Sequence, residues 1–184
     1  MFITENKKYT AEDYMLLEEG APFQLINYDL IMSPSPTPLH QIISLRLTLL
    51  FGNFLEGKSD LGFFACAPLD IKFDEGNVLQ PDIVYISPER ASEIVKEIIV
   101  GAPDLVIEIL SPSTGYYDLS QKKDVYQKHG VKEYIVVDPI VQKVEQYILK
   151  NGVYVSHQIT QKTDVFKSVL LPGLSFELSK IFRQ

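Results

Sequence analysis

The chain has 184 residues, 46% of them apolar and 22% charged, and its 17 basic and 24 acidic side chains give a net charge of −7. That length suits one globular unit with a substantial core, while the acidity argues against a surface that clings to nucleic acid over its whole extent. No apolar run approaches the roughly 20 residues that span a bilayer, the first residues lack the basic-then-apolar order of a signal peptide, and the lone Cys66 can make no internal disulfide.

The expectation is therefore a single domain over residues 1–184, cytoplasmic, with no membrane partner. Charge is unevenly spread: residues 1–117 carry 7 basic and 17 acidic side chains, whereas residues 118–184 carry 10 basic and 7 acidic. A polyanion can still approach the basic half, especially with a metal bound.

In chain order, Thr10-Ala11-Glu12-Asp13 reads as a capping box opening a short helix with Tyr14, Leu16 and Leu17 on its apolar side. Two strand-like runs, Phe23–Ile26 and Leu30–Met32, flank Asn27-Tyr28-Asp29 as a hairpin. The segment Ser33-Pro34-Ser35-Pro36-Thr37-Pro38 is an extended connector, since its prolines exclude helix interior and central strand. From Leu39 to Leu55, Ile42, Ile43, Leu47, Leu50 and Phe54 recur near helical spacing and predict the main core helix.

Strands follow at 62–67 and 69–73, then one from Val78 to Ile86, with Asp74-Glu75-Gly76-Asn77 turning the chain between them. Cys66, after Phe63-Phe64-Ala65, reads as a small buried hydrophobe. A helix opens at Pro88-Glu89 and a strand spans Leu105–Leu110. Ser111-Pro112-Ser113-Thr114-Gly115 is loop by composition, and a helix from about Leu119 to His129 stops at Gly130. Then come a strand at Glu133–Asp138, a hairpin across Asn151-Gly152, Leu171-Pro172-Gly173 and a short tail helix. The pattern is one mixed α/β domain with a strand-rich middle.

Two acids stand out against this background. Asp82 lies in Val78–Ile86 and Glu108 in Leu105–Leu110, both rich in β-branched and apolar residues and both read as buried strands. An ionised carboxylate there is costly unless it meets a cation, a metal or good donors, and two of them 26 positions apart suggest one shared divalent site. Metal-free, such a pair repels itself, so neutralising either acid is expected to be harmless or stabilising. Leu119, Lys122 and Tyr126 share one helix face, which turns Lys122 toward the body of the protein, where a lysine usually meets a carboxylate or a reacting centre.

Asp82, Glu108 and Lys122 resemble the catalytic set of the PD-(D/E)XK restriction-endonuclease-like superfamily. The chain resembles, more narrowly, the bacterial Uma-two family of candidate nucleases, expanded in cyanobacteria. The matching stretches include Tyr9–Tyr14, Met32-Ser33-Pro34, Gln80-Pro81-Asp82, Gly101–Leu105, Glu108–Thr114, Lys122 with Tyr126, Gly130–Tyr134 and Leu171–Leu174. The resemblance implies a restriction-endonuclease-like central mixed β-sheet flanked by helices, here with an added N-terminal hairpin. It also implies Mg²⁺ or Mn²⁺ held by Asp82, Glu108 and the carbonyl of Ile109, with Lys122 assisting the attacking water. DNA is then the implied partner and a homodimer the implied assembly.

Two departures are visible. The superfamily's lysine sits two residues after the second acid, where this chain has Leu110, so Lys122 takes its part from the next helix. Related sequences carry glutamate where this chain has Gln24, and glycine where it has Tyr28. Gln24 offers a neutral oxygen in place of a charged ligand. Gln80, two residues before Asp82, points the same way along one strand and reads equally as a support for water or ligand and as an exposed strand-end polar residue.

Other polar residues read as structural or peripheral: Asp104 at the border of the site, Asp118 as a helix cap, Glu133 and Asp138 at strand ends, and His40 as a capping or surface residue, with the alternative that His40 and Gln41 face a polynucleotide. His129 and His157 lack zinc spacing, and no Ser-His-Asp pattern, phosphate-binding glycine loop or dinucleotide fingerprint is present. A metal-dependent endonuclease is the leading reading. Its rivals are a nuclease-like binding or assembly module without catalysis and a hydrolase of small phosphoesters.

Overall fold

A computed structural model of the protein describes residues 7–33, 35–58, 60, 62–111, 118–161 and 163–183. Pro34 of the proline-rich connector, and Pro112 to Gly115 of the loop after the second acidic strand, lie outside the described residues.

Local chemistry sets the first elements. Thr10 accepts from Asp13 N, and Asp13 accepts from Thr10 N, the reciprocal capping box that opens α1 (Ala11–Met15). Strands β1 (Phe23–Ile26) and β2 (Asp29–Met32) pair antiparallel around Asn27 and Tyr28, whose φ angles of 51° and 66° give the tight turn that suits twisted strands. Tyr28 holds this left-handed backbone without being glycine, and its ring lies over Gly76, where an added Cβ would come within 2.6 Å of it.

Helix α2 (Pro38–Glu56) starts at a Thr37 cap with Pro38 in its first turn and buries His40, Ile43, Leu47, Phe51 and Leu55. This stripe is rotated from the one expected, and Ile42 is 46% exposed.

The middle of the chain forms β3 (Phe63–Cys66), β4 (Ile71–Asp74), β5 (Asn77–Leu79), β6 (Ile83–Ile86), α3 (Pro88–Ile94), β7 (Ile99–Val100) and β8 (Leu105–Ile109). The single strand expected over Val78–Ile86 is two. Pro81 cannot donate to a ladder, and at Gln80-Pro81-Asp82 the chain leaves one sheet for another. A π-helical turn at Asp118–Lys122 leads into α4 (Lys123–His129), which ends on Gly130 at φ 85°. Then follow β9 (Glu133–Asp138), β10 (Lys143–Lys150), β11 (Val153–Gln161), β12 (Val165–Lys167), β13 (Ser175–Glu177) and α5 (Ser179–Phe182).

These strands build a six-stranded mixed sheet in the order β11-β10-β9-β8-β6-β3, parallel between β8 and β9, and a five-stranded sheet ordered β2-β1-β5-β4-β7. The expected N-terminal hairpin is the edge of that second sheet. Alternation divides the core. Ile83, Tyr85, Leu105, Ile107 and Ile109 pack with α2, α5 and the β12–β13 hairpin, whereas Val84, Ile86, Val106, Tyr134 and Val136 pack with α4 and with Ile71, Phe73 and Leu79 of the five-stranded sheet.

Two expectations from sequence are corrected by position in these sheets. Cys66 is exposed, because β3 is an edge strand and Cys66 sits at its end. Glu133 is 1% exposed rather than a surface residue. Its carboxylate gathers the C-terminal segment onto the sheet, accepting from Gln146 Nε2 at 2.7 Å, Leu170 N at 2.6 Å, Val169 N at 3.1 Å and the Ser168 hydroxyl.

Burial pushes the Glu133 carboxyl above the usual carboxylate range, against the pull of those donors. A raised carboxyl contributes fully below its unfolded pKa of about 4.3, and the contribution falls as pH rises through the folded value. Glu133→Ala strands several buried donors and is expected to lower stability by about 3 kcal/mol or more in chemical denaturation. Glu133→Gln removes the titration, so wild-type stability should fall relative to this variant as pH is raised from about 4.3.

Candidate active site

Asp82 and Glu108 are brought to one place by the pairing of β6 with β8. The ladder sets Ile83 opposite Ile107, so the next step of the same register sets Asp82 opposite Glu108, on one face of the sheet. Beside them opens a cleft of about 380 Å³ whose lining includes Gln24, His40, Gln80, Asp82, Glu108 and Lys122.

Glu108 sits inside β8 and is 2% exposed. A carboxylate so placed needs positive charge, and Lys122 Nζ lies 2.9 Å from each of its oxygens. The Tyr126 hydroxyl donates to Oε1 as well. Lys122 and Tyr126 are four residues apart across the junction of the π turn and α4, so one helical face delivers both donors. Tyr126 is held in turn by Tyr134 at 5.3 Å and Phe73 at 5.5 Å between ring centroids. The side chains of Asp118 and Leu119, the expected cap and an expected member of this face, lie outside the described residues.

Asp82 is more open, its side chain 16% exposed. Its Oδ2 accepts from Ile109 N at 2.7 Å, and His40 Nε2 lies 3.2 Å from both carboxylate oxygens. His40, expected to cap α2 or face solvent, is instead buried against the site. It heads the stripe His40, Ile43, Leu47, Phe51, Leu55, and that spacing was the available signal.

Gln24 and Gln80 reach the cleft with their amides already engaged. Gln24 Oε1 accepts from Gln80 N at 2.8 Å and its Nε2 donates to Ser33 Oγ, which ties β1 and the end of β2 to the break before Asp82. Gln80 Nε2 donates to Asp70 Oδ1 at 2.9 Å, so the side chain turns toward Asp70 and Tyr14 rather than running parallel to Asp82, as a continuous strand would have it.

Asp104 stands at the opposite end of β8, fully buried, accepting from Ser87 N and paired with Arg90 and Lys132 at 2.8 and 2.7 Å. It closes a structural network and does not border the cleft. Among the described residues no group of three or more His, Cys, Asp or Glu side chains gathers as a metal cage. The available donors are two facing carboxylates and the Ile109 backbone, hard oxygens of the kind that suit a divalent ion keeping several waters.

The two sheets and their flanking helices make this a restriction-endonuclease-like fold. A crystal structure of a protein from Anabaena variabilis, described as "a putative nuclease belonging to DUF820", superposes with a TM-score of 0.80 over 94% of this chain and 97% of that one, at 20% identity. The family model Uma2, "Putative restriction endonuclease", matches residues 11–179, and the chain belongs to that family.

Two proteins of Synechocystis sp. are similar in sequence. Uncharacterized protein slr1290 is 28% identical over 78% of this chain and 74% of its own length. Uncharacterized protein sll1609 is 25% identical over 80% of this chain and 84% of its own. Among the described residues no helix is long and apolar enough to cross a membrane.

The acid pair was expected to stand in mutual repulsion, but Glu108 has its own cation. Glu108→Gln removes the carboxylate charge that the buried Lys122 pairs with and should cost about 3–5 kcal/mol in urea denaturation. The double variant Glu108→Gln/Lys122→Met should recover part of that loss. A harmless single substitution would remove the pair from the structural role assigned here.

Proposed function

We propose that the protein is a metal-dependent nuclease, with Asp82 and Glu108 as ligands and Lys122 as the catalytic cation. The observation that carries this reading is the meeting of those three side chains at one cleft, in a chain of the Uma2 family. A divalent ion, Mg²⁺ or Mn²⁺, would be held by Asp82, Glu108 and the Ile109 carbonyl. When bound it supplies Lewis-acid activation of a phosphodiester and lowers the pKa of water.

The chain's own groups do the rest. Lys122, already fixed on Glu108, places a positive charge where negative charge develops on the phosphate, and orients the attacking water. Gln24 and Gln80 brace the Asp82 turn from behind through the Gln24–Gln80 backbone bond. DNA is the proposed substrate, and a homodimer the proposed assembly, since cutting two strands takes two sites.

One observation favours the rival, a nuclease-like binding module: both Glu108 oxygens are engaged by Lys122, as in a closed structural ion pair. Cleavage separates the two readings. Wild-type protein with Mn²⁺ or Mg²⁺ should nick supercoiled plasmid or cut single-stranded DNA. Asp82→Asn should lose more than the roughly 100-fold that deleting an outer partner of a metal ligand costs. No cleavage by wild type with either ion, over plasmid, single-stranded DNA and a small phosphodiester such as bis(p-nitrophenyl) phosphate, leaves the binding module as the reading.

Gln24 lines the cleft at a position where the family resemblance implies an acid. Gln24→Glu is expected to tighten Mn²⁺ binding in calorimetry, because it adds charge beside a divalent ion. An unchanged affinity would set Gln24 outside the ion's reach.

A further inference from the structure

We infer that His40 is the positioning residue of Asp82, an inference that rests on the metal site proposed above. The two acids of the cleft are held by different means. Glu108 is clamped by Lys122 and Tyr126 from the helical side of the sheet. Asp82 stands just before β6, past Pro81, with its carbonyl held by Ala67 N at 2.9 Å and its side chain left for other donors to place. Its terminal torsion is soft in the absence of donors.

Two donors from two separate elements hold that torsion. Ile109 N, on β8, binds Oδ2 at 2.7 Å, and His40 Nε2, in the first turn of α2, sits 3.2 Å from each oxygen. A carboxylate only accepts, so Nε2 carries the proton in this contact. One donor leaves the carboxyl group rotation about a single contact; the second, from α2, fixes its plane.

The helix is built to deliver that imidazole. Thr37 Oγ1 accepts from His40 N at 3.3 Å and Pro38 occupies the first turn, so the backbone of residue 40 is set by the cap. From there the side chain falls on the buried stripe that continues as Ile43, Leu47, Phe51 and Leu55. A residue chosen for packing alone would be apolar, like the four that follow. Instead the position holds an 8% exposed histidine, with Nε2 on the carboxylate and its ring on the cleft wall. Outer partners that orient a ligating carboxylate commonly contribute 10–100-fold to metal affinity.

Three proteins test this with Mn²⁺ alone, by calorimetry and by thermal melting in chelator: wild type, His40→Leu and His40→Gln. Leucine keeps the apolar packing and removes the donor, whereas glutamine returns an N–H of similar reach. The expected result is Mn²⁺ affinity about 10–100-fold weaker in His40→Leu, most of it recovered in His40→Gln, and chelated melts of both variants near that of wild type.

Wild-type affinity in His40→Leu overturns the role. Equal weakening in both variants with normal melts makes the imidazole a direct ligand and also overturns it. Weakening that tracks a lowered melting temperature reduces His40 to packing and overturns it too. Wild-type protein that takes up no Mn²⁺ overturns the metal site itself, and the role of His40 with it.

Discussion

The carboxylate of Glu108 has almost no access to water, and the region around it is organised to supply the positive charge that such a group requires. Its strand lies in the interior of the six-stranded sheet, flanked by β6 and β9. The charge comes from the helix packed on that face, at a position where a π turn passes into regular α-helix. Tyr126, one turn later, adds a neutral donor and is immobilised among Phe73 and Tyr134. Gly130 then ends the helix with a left-handed residue, and β9 returns parallel to β8. Lysine, tyrosine, aromatic packing and cap form one chain of dependence beginning at a single buried acid.

Asp82 answers to a different constraint. The chain changes sheets at Gln80-Pro81-Asp82, and the aspartate is the first residue on the far side. It is thus partly open, held by a backbone amide and an imidazole instead of a lysine. The asymmetry has chemical sense in the proposed nuclease. Both acids line the cleft, but one is locked against Lys122 and the other is more open. Among the described residues that line this cleft, serine, proline, alanine and glutamine dominate, and Lys122 is the one lysine or arginine. Charge for a phosphate would therefore come from a bound cation and Lys122, in keeping with a chain whose overall charge is −7.

Much of this was legible in one dimension, and the failures share a cause. Helices with caps, the Asn27-Tyr28 and Asn151-Gly152 turns and the strands of the central sheet follow from local pattern. So does the inward face of Lys122, because helical spacing alone sets which residues share a side. The misjudged residues were those whose surroundings come from far along the chain. Glu133 looks like a strand-end surface acid until residues 168–170 arrive to donate to it. Cys66 looks buried until β3 proves to be an edge. His40 looks like a cap until Asp82, 42 positions away, meets its ring.

What the sequence determined by itself is the inventory and its cost: two acids among apolar β-branched residues and a lysine on the inner face of a helix. Those are local properties of side chains and backbone, independent of where the elements end up. Only the tertiary structure decided which groups meet. The register that sets Asp82 against Glu108, the ring of His40 on that carboxylate and the turning of Gln80 toward Asp70 all depend on pairings between distant segments. Such pairings are selected by burial of the whole apolar surface rather than by any one residue, so no local pattern records them.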